Sequence, residues 1–216
     1  MPHSLFSIAI PLSAMLRAAK LCLLLFSIAG LQACTSAPHN LNLNYDFEPI
    51  SKEDASNYIQ ANKIVINIAD ISAPSTLDSN DMLYRLQYDN AQLLRAYAQH
   101  HWSMPPAQLF AQRLKSRITA AGGIVVGAAD GIADLPILKI ELDEFSQIFT
   151  NAIQSEAKIA LRASIIKKNK LIAQQYFNLG TASTSADASG GAKAMQVTAD
   201  RSISAILTWL LALPAY

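Results

Sequence analysis

Two stretches of the chain alternate apolar and polar side chains with a regularity that few folds accommodate. Over residues 137–145, Leu138, Ile140 and Leu142 fall on one side, and Lys139, Glu141 and Asp143 on the other. Over residues 155–165, Ala157, Ile159, Leu161, Ala163 and Ile165 oppose Glu156, Lys158, Arg162 and Ser164. Successive side chains of a strand point to opposite faces, so this period of two predicts strands with one dry face and one wet face. Such a division is typical of an antiparallel sheet covered on one side only. Residues 167–170 turn the chain, and residues 171–179 return as a further strand.

Two stretches with helical periodicity supply the covering layer. Ser103-Met104-Pro105-Pro106 begins a helix, because proline is tolerated in the first turn. It runs to about Ala121, where Gly122-Gly123 stops it. Ala107, Phe110, Leu114 and Ile118 form its apolar stripe, and Arg113, Lys115 and Arg117 are expected to point outward. The last helix is predicted from about Ala192 to Leu211, with Met195, Ala199, Ile203, Ile206, Leu207 and Leu210 inward and Pro214 beyond its end. Residues 181–191 read as a Ser/Gly/Ala loop. Strands are also predicted over 43–47, 63–68 and 124–126, a helical turn at the start of 51–62, and a loop over 69–81. Residues 82–88 and 91–99 flank Asp89-Asn90 and read as a hairpin with a two-residue turn. The set predicts an α+β fold: a two-layer sandwich of a mostly antiparallel sheet with two amphipathic helices on one face. No internal repeat is present.

The first 33 residues differ in kind. They hold 22 apolar residues, two cations (Arg17 and Lys20) and no acid. The apolar run LCLLLFSIAG over 21–30 is half the length of roughly 20 residues that a membrane-spanning helix needs. A basic flank, a short apolar run and a small-residue site follow the order of a secretory signal peptide. Met15 as the start would give a leader of more ordinary length. At its end, Leu31-Gln32-Ala33-Cys34 resembles the lipobox of bacterial lipoproteins, with Gln32 standing where a small residue is usual. The resemblance implies that residues 1–33 are cleaved, that the Cys34 thiol carries diacylglycerol, and that the new amine is acylated. Cys22 leaves with the leader, so no disulfide forms within the mature chain. One acyl chain holds a membrane reversibly, and two or three hold it effectively for good. Thr35 follows the cysteine where aspartate would retain a lipoprotein at the inner membrane, which implies the periplasmic face of the outer membrane. Residues 34–42 are then the lipidated cysteine and a tether, whose eight residues after Cys34 reach at most about 27 Å, and 43–216 the folded domain. The 183 residues after the leader carry a net charge of −1, which excludes a strongly basic nucleic-acid binder.

Along the domain runs an ordered set of short motifs: Tyr45-Asp46-Phe47-Glu48-Pro49, Pro74 with Leu77-Asp78, Met82-Leu83-Tyr84-Arg85, Tyr97, Trp102, Pro105-Pro106, Leu142-Asp143-Glu144-Phe145 and Trp209-Leu210. The set resembles the ABC-type transport auxiliary lipoproteins, the PqiC-type lipoproteins that accompany MCE-domain lipid transport systems. His101 departs from the arginine often found there. The resemblance implies a non-catalytic subunit that docks an MCE-domain protein of a phospholipid transport complex at the outer membrane and supports envelope integrity, with a homo-oligomer as one form. Tyr84, Arg85, Tyr97 and Trp102 are the candidate partner contact, because Tyr, Trp and Arg dominate interface hot spots. Packing within the sheet is the competing role for the three aromatics. Two other readings stand beside this one. A lipid-binding carrier predicts a closed apolar pocket, and a general outer-membrane assembly lipoprotein would serve lipopolysaccharide export or the Tol–Pal system.

No motif for catalysis emerges. His100-His101 and Asp143-Glu144 are each sequential pairs on predicted strands, so their members diverge and cannot easily grip one ion or flank one substrate. Gly122-Gly123-Ile124-Val125-Val126-Gly127 lacks the Lys-Ser/Thr ending of a phosphate-binding loop. No Gly-x-Ser-x-Gly motif is present. The expectation is no catalytic residue, no metal, and no cofactor besides the covalent lipid on Cys34.

Overall fold

The computed structural model describes residues 41–51, 59–127, 132 and 134–214. Cys34, the leader, the tether up to residue 40 and most of the turn expected over 51–62 lie outside the described residues. The described elements are β1 (Leu43–Tyr45), β2 (Val65–Ile68), a 3-10 turn (Ser75–Leu77), β3 (Asp81–Leu86), α1 (Gln87–Asn90), β4 (Ala91–Trp102), α2 (Pro106–Ala120), β5 (Ile124–Val126), β6 (Ile137–Asn151), β7 (Gln154–Lys167), β8 (Lys170–Ala182) and α3 (Ala188–Ala212).

β6 is the spine. One of its edges pairs antiparallel with β7 from Ile137↔Ile166 to Asn151↔Gln154, and β7 pairs antiparallel with β8. The other edge is shared between segments from the N-terminal half of the chain. β2 runs parallel to its start (Asn67↔Ile137, Ile68↔Leu138), and β3 runs parallel to its end (Tyr84↔Gln147, Leu86↔Phe149). Between them Ser72 bridges to Glu141: its N–H donates to the Ile140 carbonyl, and its carbonyl accepts from Leu142. β5 adds parallel to β2, β4 antiparallel to β3, and β1 parallel to β4. The α+β class holds, but the sheet is mixed rather than mostly antiparallel. Parallel neighbours need long crossover connections, and the strands that supply them here are three to six residues long, too short for local alternation to report their partners.

The alternation reads correctly as far as Leu142. Leu138, Ile140 and Leu142 are buried, but beyond them the inward phase passes to Phe145, Gln147 and Phe149, with Ser146 buried between them. The register shifts between Leu142↔Leu161 and Glu144↔Ala160, so β6 carries one extra residue there. A bulge of this kind resets the parity of side chains along a strand. β7 keeps its phase, with Ala157, Ile159, Leu161, Ala163 and Ile165 all buried. Lys168 and Asn169, both with positive φ (50° and 60°), make the tight β7–β8 turn.

The other hairpin departs from expectation. β3 and β4 pair antiparallel (Tyr84↔Arg95), but the two-residue turn at Asp89-Asn90 is replaced by the single helical turn α1. α2 ends as predicted. Gly122 takes φ 84°, a left-handed conformation that costs glycine little, and a Cβ there would lie 2.2 Å from Asn62 Oδ1. α3 begins four residues earlier than expected. Asp187 caps it, accepting from the Gly190 N–H at 2.7 Å.

One contiguous core joins Phe110, Leu114 and Ile118 of α2 and Ile203, Ile206 and Leu207 of α3 to the buried residues of β2, β6 and β7. Asn42–Tyr216 forms one compact unit, and every residue of this core lies within it.

The largest correction concerns charge. Arg113 and Arg117, expected outward, are only 6% and 4% exposed. They lie on the flank of α2 that meets α3, where Asp200 receives both. Arg113 Nε and Nη2 donate to its two carboxylate oxygens at 2.9 and 2.8 Å, and Arg117 Nη1 sits 2.9 Å from Oδ1. Arg117 Nη2 also donates to Ser204 Oγ, and Arg113 Nη1 to the carbonyl of Glu48. A carboxylate gripped by two guanidinium groups lets both cations leave water.

Candidate partner-contact site

The four residues singled out in the sequence do not share one surface. β3 and β4 place Tyr84 and Tyr97 on the same side, with ring centroids 4.6 Å apart. Phe149 extends this pair edge-to-face from Tyr84 (5.9 Å), and His100 extends it from Tyr97 (5.9 Å). Tyr45 of β1 stacks on His100 at 5.7 Å, its hydroxyl 3.2 Å from Nδ1. Trp102 belongs elsewhere. It is 2% exposed and packs edge-to-face with Phe145 and Phe47 (5.5 and 6.1 Å). Its place in a partner contact is therefore replaced by a place in the core, since a buried indole offers a partner no surface. Tyr84 and Tyr97 are partly buried.

Tyr97 is held from below. Its hydroxyl donates to Gln147 Oε1 at 3.0 Å, and Gln147 Nε2 donates to Ser155 Oγ (2.7 Å) and to the Asp187 carbonyl (3.1 Å). Gln147 is buried, and its amide ties β4, β6, β7 and the start of α3 together. The approach of α3 is so close that a Cβ on Gly191 would fall 2.0 Å from Gln147 Oε1. Burial, and then the neighbouring Tyr84 hydroxyl, push the Tyr97 phenol well above its usual range, so it remains a proton donor to Gln147 at neutral pH. Sequence reading missed Gln147, and a polar residue at an inward position past the bulge was its only signal.

Arg85 alternates to the opposite face, as its position next to Tyr84 requires. There it lies 3.7 Å from Glu144 and lines an open groove of about 440 Å³ with Asp143, Glu156, Lys158 and Tyr176. The groove holds both signs of charge and one exposed aromatic, a composition suited to a polar protein surface. His100 and His101 diverge, His100 to the tyrosines and His101 to Asp81 at 3.6 Å. Among the described residues, no group of three or more His, Cys, Asp or Glu is placed to hold a metal ion, and no helix is long and apolar enough to cross a membrane. Three cavities, of about 750, 440 and 540 Å³, are open grooves with charged groups in their linings.

A mixed sheet built on one long strand, sharing one core with α2 and α3, and aromatic motifs in a fixed order define the class to which these features belong. The chain belongs to the ABC-type transport auxiliary lipoprotein component family, whose profile matches residues 45–206. The fold is similar to the crystal structure of a protein from Xanthomonas campestris, at 20% identity and a TM-score of 0.60, covering 68% of this chain and 82% of that one. It is also similar to that of an uncharacterized protein, at 13% identity and a TM-score of 0.58, covering 78% and 98%. No curated protein matches the chain.

Proposed function

We propose that the protein is a lipoprotein anchored through Cys34 to the periplasmic face of the outer membrane, and that it serves as a non-catalytic accessory subunit of an MCE/Pqi-type phospholipid transport system. The observation that carries this reading is the match to an ABC-type transport auxiliary component, which begins shortly after Leu31-Gln32-Ala33-Cys34. The family ties the domain to a transport system. The lipobox supplies an attachment whose two or three acyl chains would hold it at the membrane, and Thr35 in place of aspartate favours the outer membrane. The domain then contributes binding rather than chemistry. Tyr97, held by Gln147, with Tyr84 against its ring, and Arg85 on the opposite face are the side chains from which contacts with an MCE-domain protein, one on each face, would be built.

Two measurements test this. Labelling with radioactive palmitate should mark the wild-type protein and not Cys34→Ala; equal labelling, or none, overturns the anchor. Affinity purification of the membrane-extracted protein at native expression should recover an MCE-domain partner. Recovery of lipopolysaccharide-export or Tol–Pal components in its place would overturn the assignment to lipid transport.

A further inference from the structure

Two long stretches of strand have no neighbour on one side among the described residues. β4 pairs with β3 along one edge, but on its other edge β1 reaches only His100–Trp102, so residues 91–99 are open. β8 pairs with β7 alone. An open edge presents a row of unpaired N–H and C=O groups, which proteins ordinarily blunt with a charge, a proline or a bulge. β4 carries Arg95 at the centre of its open stretch. An antiparallel copy laid along 91–99 would set Arg95 against its own copy, and like charges directly opposite repel.

β8 is blunted only towards its ends. On one side, the register shifts between Ile165↔Ala173 and Ile166↔Leu171, so Ile172 is an extra residue that makes a bulge. On the other, Arg201 Nη1 donates to the Gly180 carbonyl at 2.7 Å and to Thr181 Oγ1 at 3.1 Å. Between these two devices residues 173–179 (AQQYFNL) carry no charge and no proline. Gln174, Gln175 and Asn178 are exposed there, and Tyr176 is 55% exposed.

Symmetry identifies the occupant. Directly opposite residues of an antiparallel pair share a face. Where the two strands are copies of one segment, the midpoint of that segment lies opposite itself. Tyr176 is the midpoint of the unprotected stretch 173–179, and also of β8 as a whole (Lys170–Ala182). On the wet face, which Tyr176 shares with Arg162, the two Tyr176 rings then meet, with Gln174 opposite Asn178 on either side of them. On the inner face Ala173 lies opposite Leu179, and Gln175 opposite Phe177. Lys170, the only charge of the strand, falls opposite Ala182. Every opposed pair is thus aromatic, amide or apolar, or free of like charge. A foreign strand would not require the open stretch to be centred in this way, whereas a strand that pairs with its own copy does.

We propose that the protein forms a two-fold symmetric dimer by antiparallel pairing of β8 with β8 of a second copy, over residues 173–179 and centred on Tyr176, so that two sheets become one. The pairing requires neither Cys34 nor an MCE-domain partner, so it holds whether or not the transport assignment does.

Residues 42–216 hold the whole core and lack both cysteines of the chain, so a single introduced thiol reports one place. Sedimentation of this unit should show a monomer–dimer equilibrium between micromolar and millimolar concentration. Tyr176→Cys should cross-link under mild oxidation, because directly opposite Cα atoms lie about 4.5–5.5 Å apart, within reach of a disulfide. Leu171→Cys, set about 34 Å from its copy along the strands, should not. Gln174→Lys/Asn178→Lys opposes lysine to lysine at two places and should weaken dimerisation at least about tenfold. Gln174→Lys/Asn178→Glu opposes lysine to glutamate and should dimerise at least as well as the parent. At dilution, circular dichroism and thermal unfolding of both charge variants should match the parent. A parent that stays monomeric at millimolar concentration, an assembly larger than a dimer, cross-linking of Leu171→Cys as readily as of Tyr176→Cys, or equal dimerisation of the two charge variants would each overturn the pairing.

Discussion

Arg113 and Arg117 show how a single side chain can decide the meaning of two others. In the sequence they fall beside an apolar stripe, where a solvated arginine is the ordinary outcome. Asp200, 87 residues beyond Arg113, turns them into a buried cluster, and no local pattern could reveal a partner at that distance. Removing Asp200 would take from two buried guanidinium groups the carboxylate they share, so Asp200→Leu should cost about 3–5 kcal/mol. Replacing the set together (Arg113→Met/Arg117→Met/Asp200→Leu) should restore most of that loss, because no charge remains to desolvate. Urea midpoints of the two variants distinguish this from simple damage to packing. Asp187 acts through a different balance. The Gly190 N–H, and then the Ser185 hydroxyl, hold its carboxyl below the usual range. Its folded pKa thus lies below its unfolded value of about 3.9, so its ionised contribution is complete above that value and is lost as pH falls through the lowered one. Asp187→Ala should cost about 1 kcal/mol at neutral pH. In thermal melts the gap between variant and parent should stay constant from about pH 7 to pH 5 and narrow below about pH 4.

Among the elements, the inward face of β7 was legible throughout, although Ser164, expected on its wet face, is buried beside Gln174, and β6 was legible only to Leu142; the difference in phase between them is one residue. Period-two alternation reports a face only while register is kept, and the bulge between Leu142 and Glu144 ends that condition. Past it, Phe145, Gln147 and Phe149 face inward because Asp143 is extra, so the insertion is what brings Gln147 beneath Tyr97. The start of α3 was hidden for a related reason. Gly190-Gly191 reads as a loop, yet both lie buried in the first turn, where Gly191 admits the Gln147 amide. Deleting Asp143 should rotate either half of β6 by one position and send Phe145 and Phe149, or Leu138 and Ile140, to the wet face. The deleted protein should fail to give a cooperative unfolding transition. Asp143→Ala keeps the count and should shift stability by no more than about 0.5 kcal/mol. A cooperative, near-native melt from the deletion would show that the bulge does not set the register.

For the whole molecule, the sequence indicated which segments were strands more readily than which strands were neighbours. β6 takes its second edge from residues near 67–72 and 84–86, more than 60 positions away, and the direction of those pairings is carried by no local signal. The resulting sheet has a graded stability. β7 is paired on both sides over most of its length, β6 along one edge throughout and along the other at its two ends and at Glu141, and both lie over the core, so their amides open only when the whole domain does. β1 and β5 have three residues and a single neighbour each among the described strands. β8 is intermediate. It pairs with β7 along its length, and near its end Arg201 Nη1 donates to the Gly180 carbonyl at 2.7 Å, a charged cover of the kind that discourages further strand addition. Native-state hydrogen exchange should therefore rank β6 and β7 slowest, at the rate of global unfolding, β8 next, and β1 and β5 fastest through local opening. Residues 124–126 are the informative ones, because they form a three-residue strand paired only to β2 among the described strands. Equal protection of β5 and β7 in the free protein would contradict the graded sheet, since a three-residue edge strand cannot match the spine unless something else covers it.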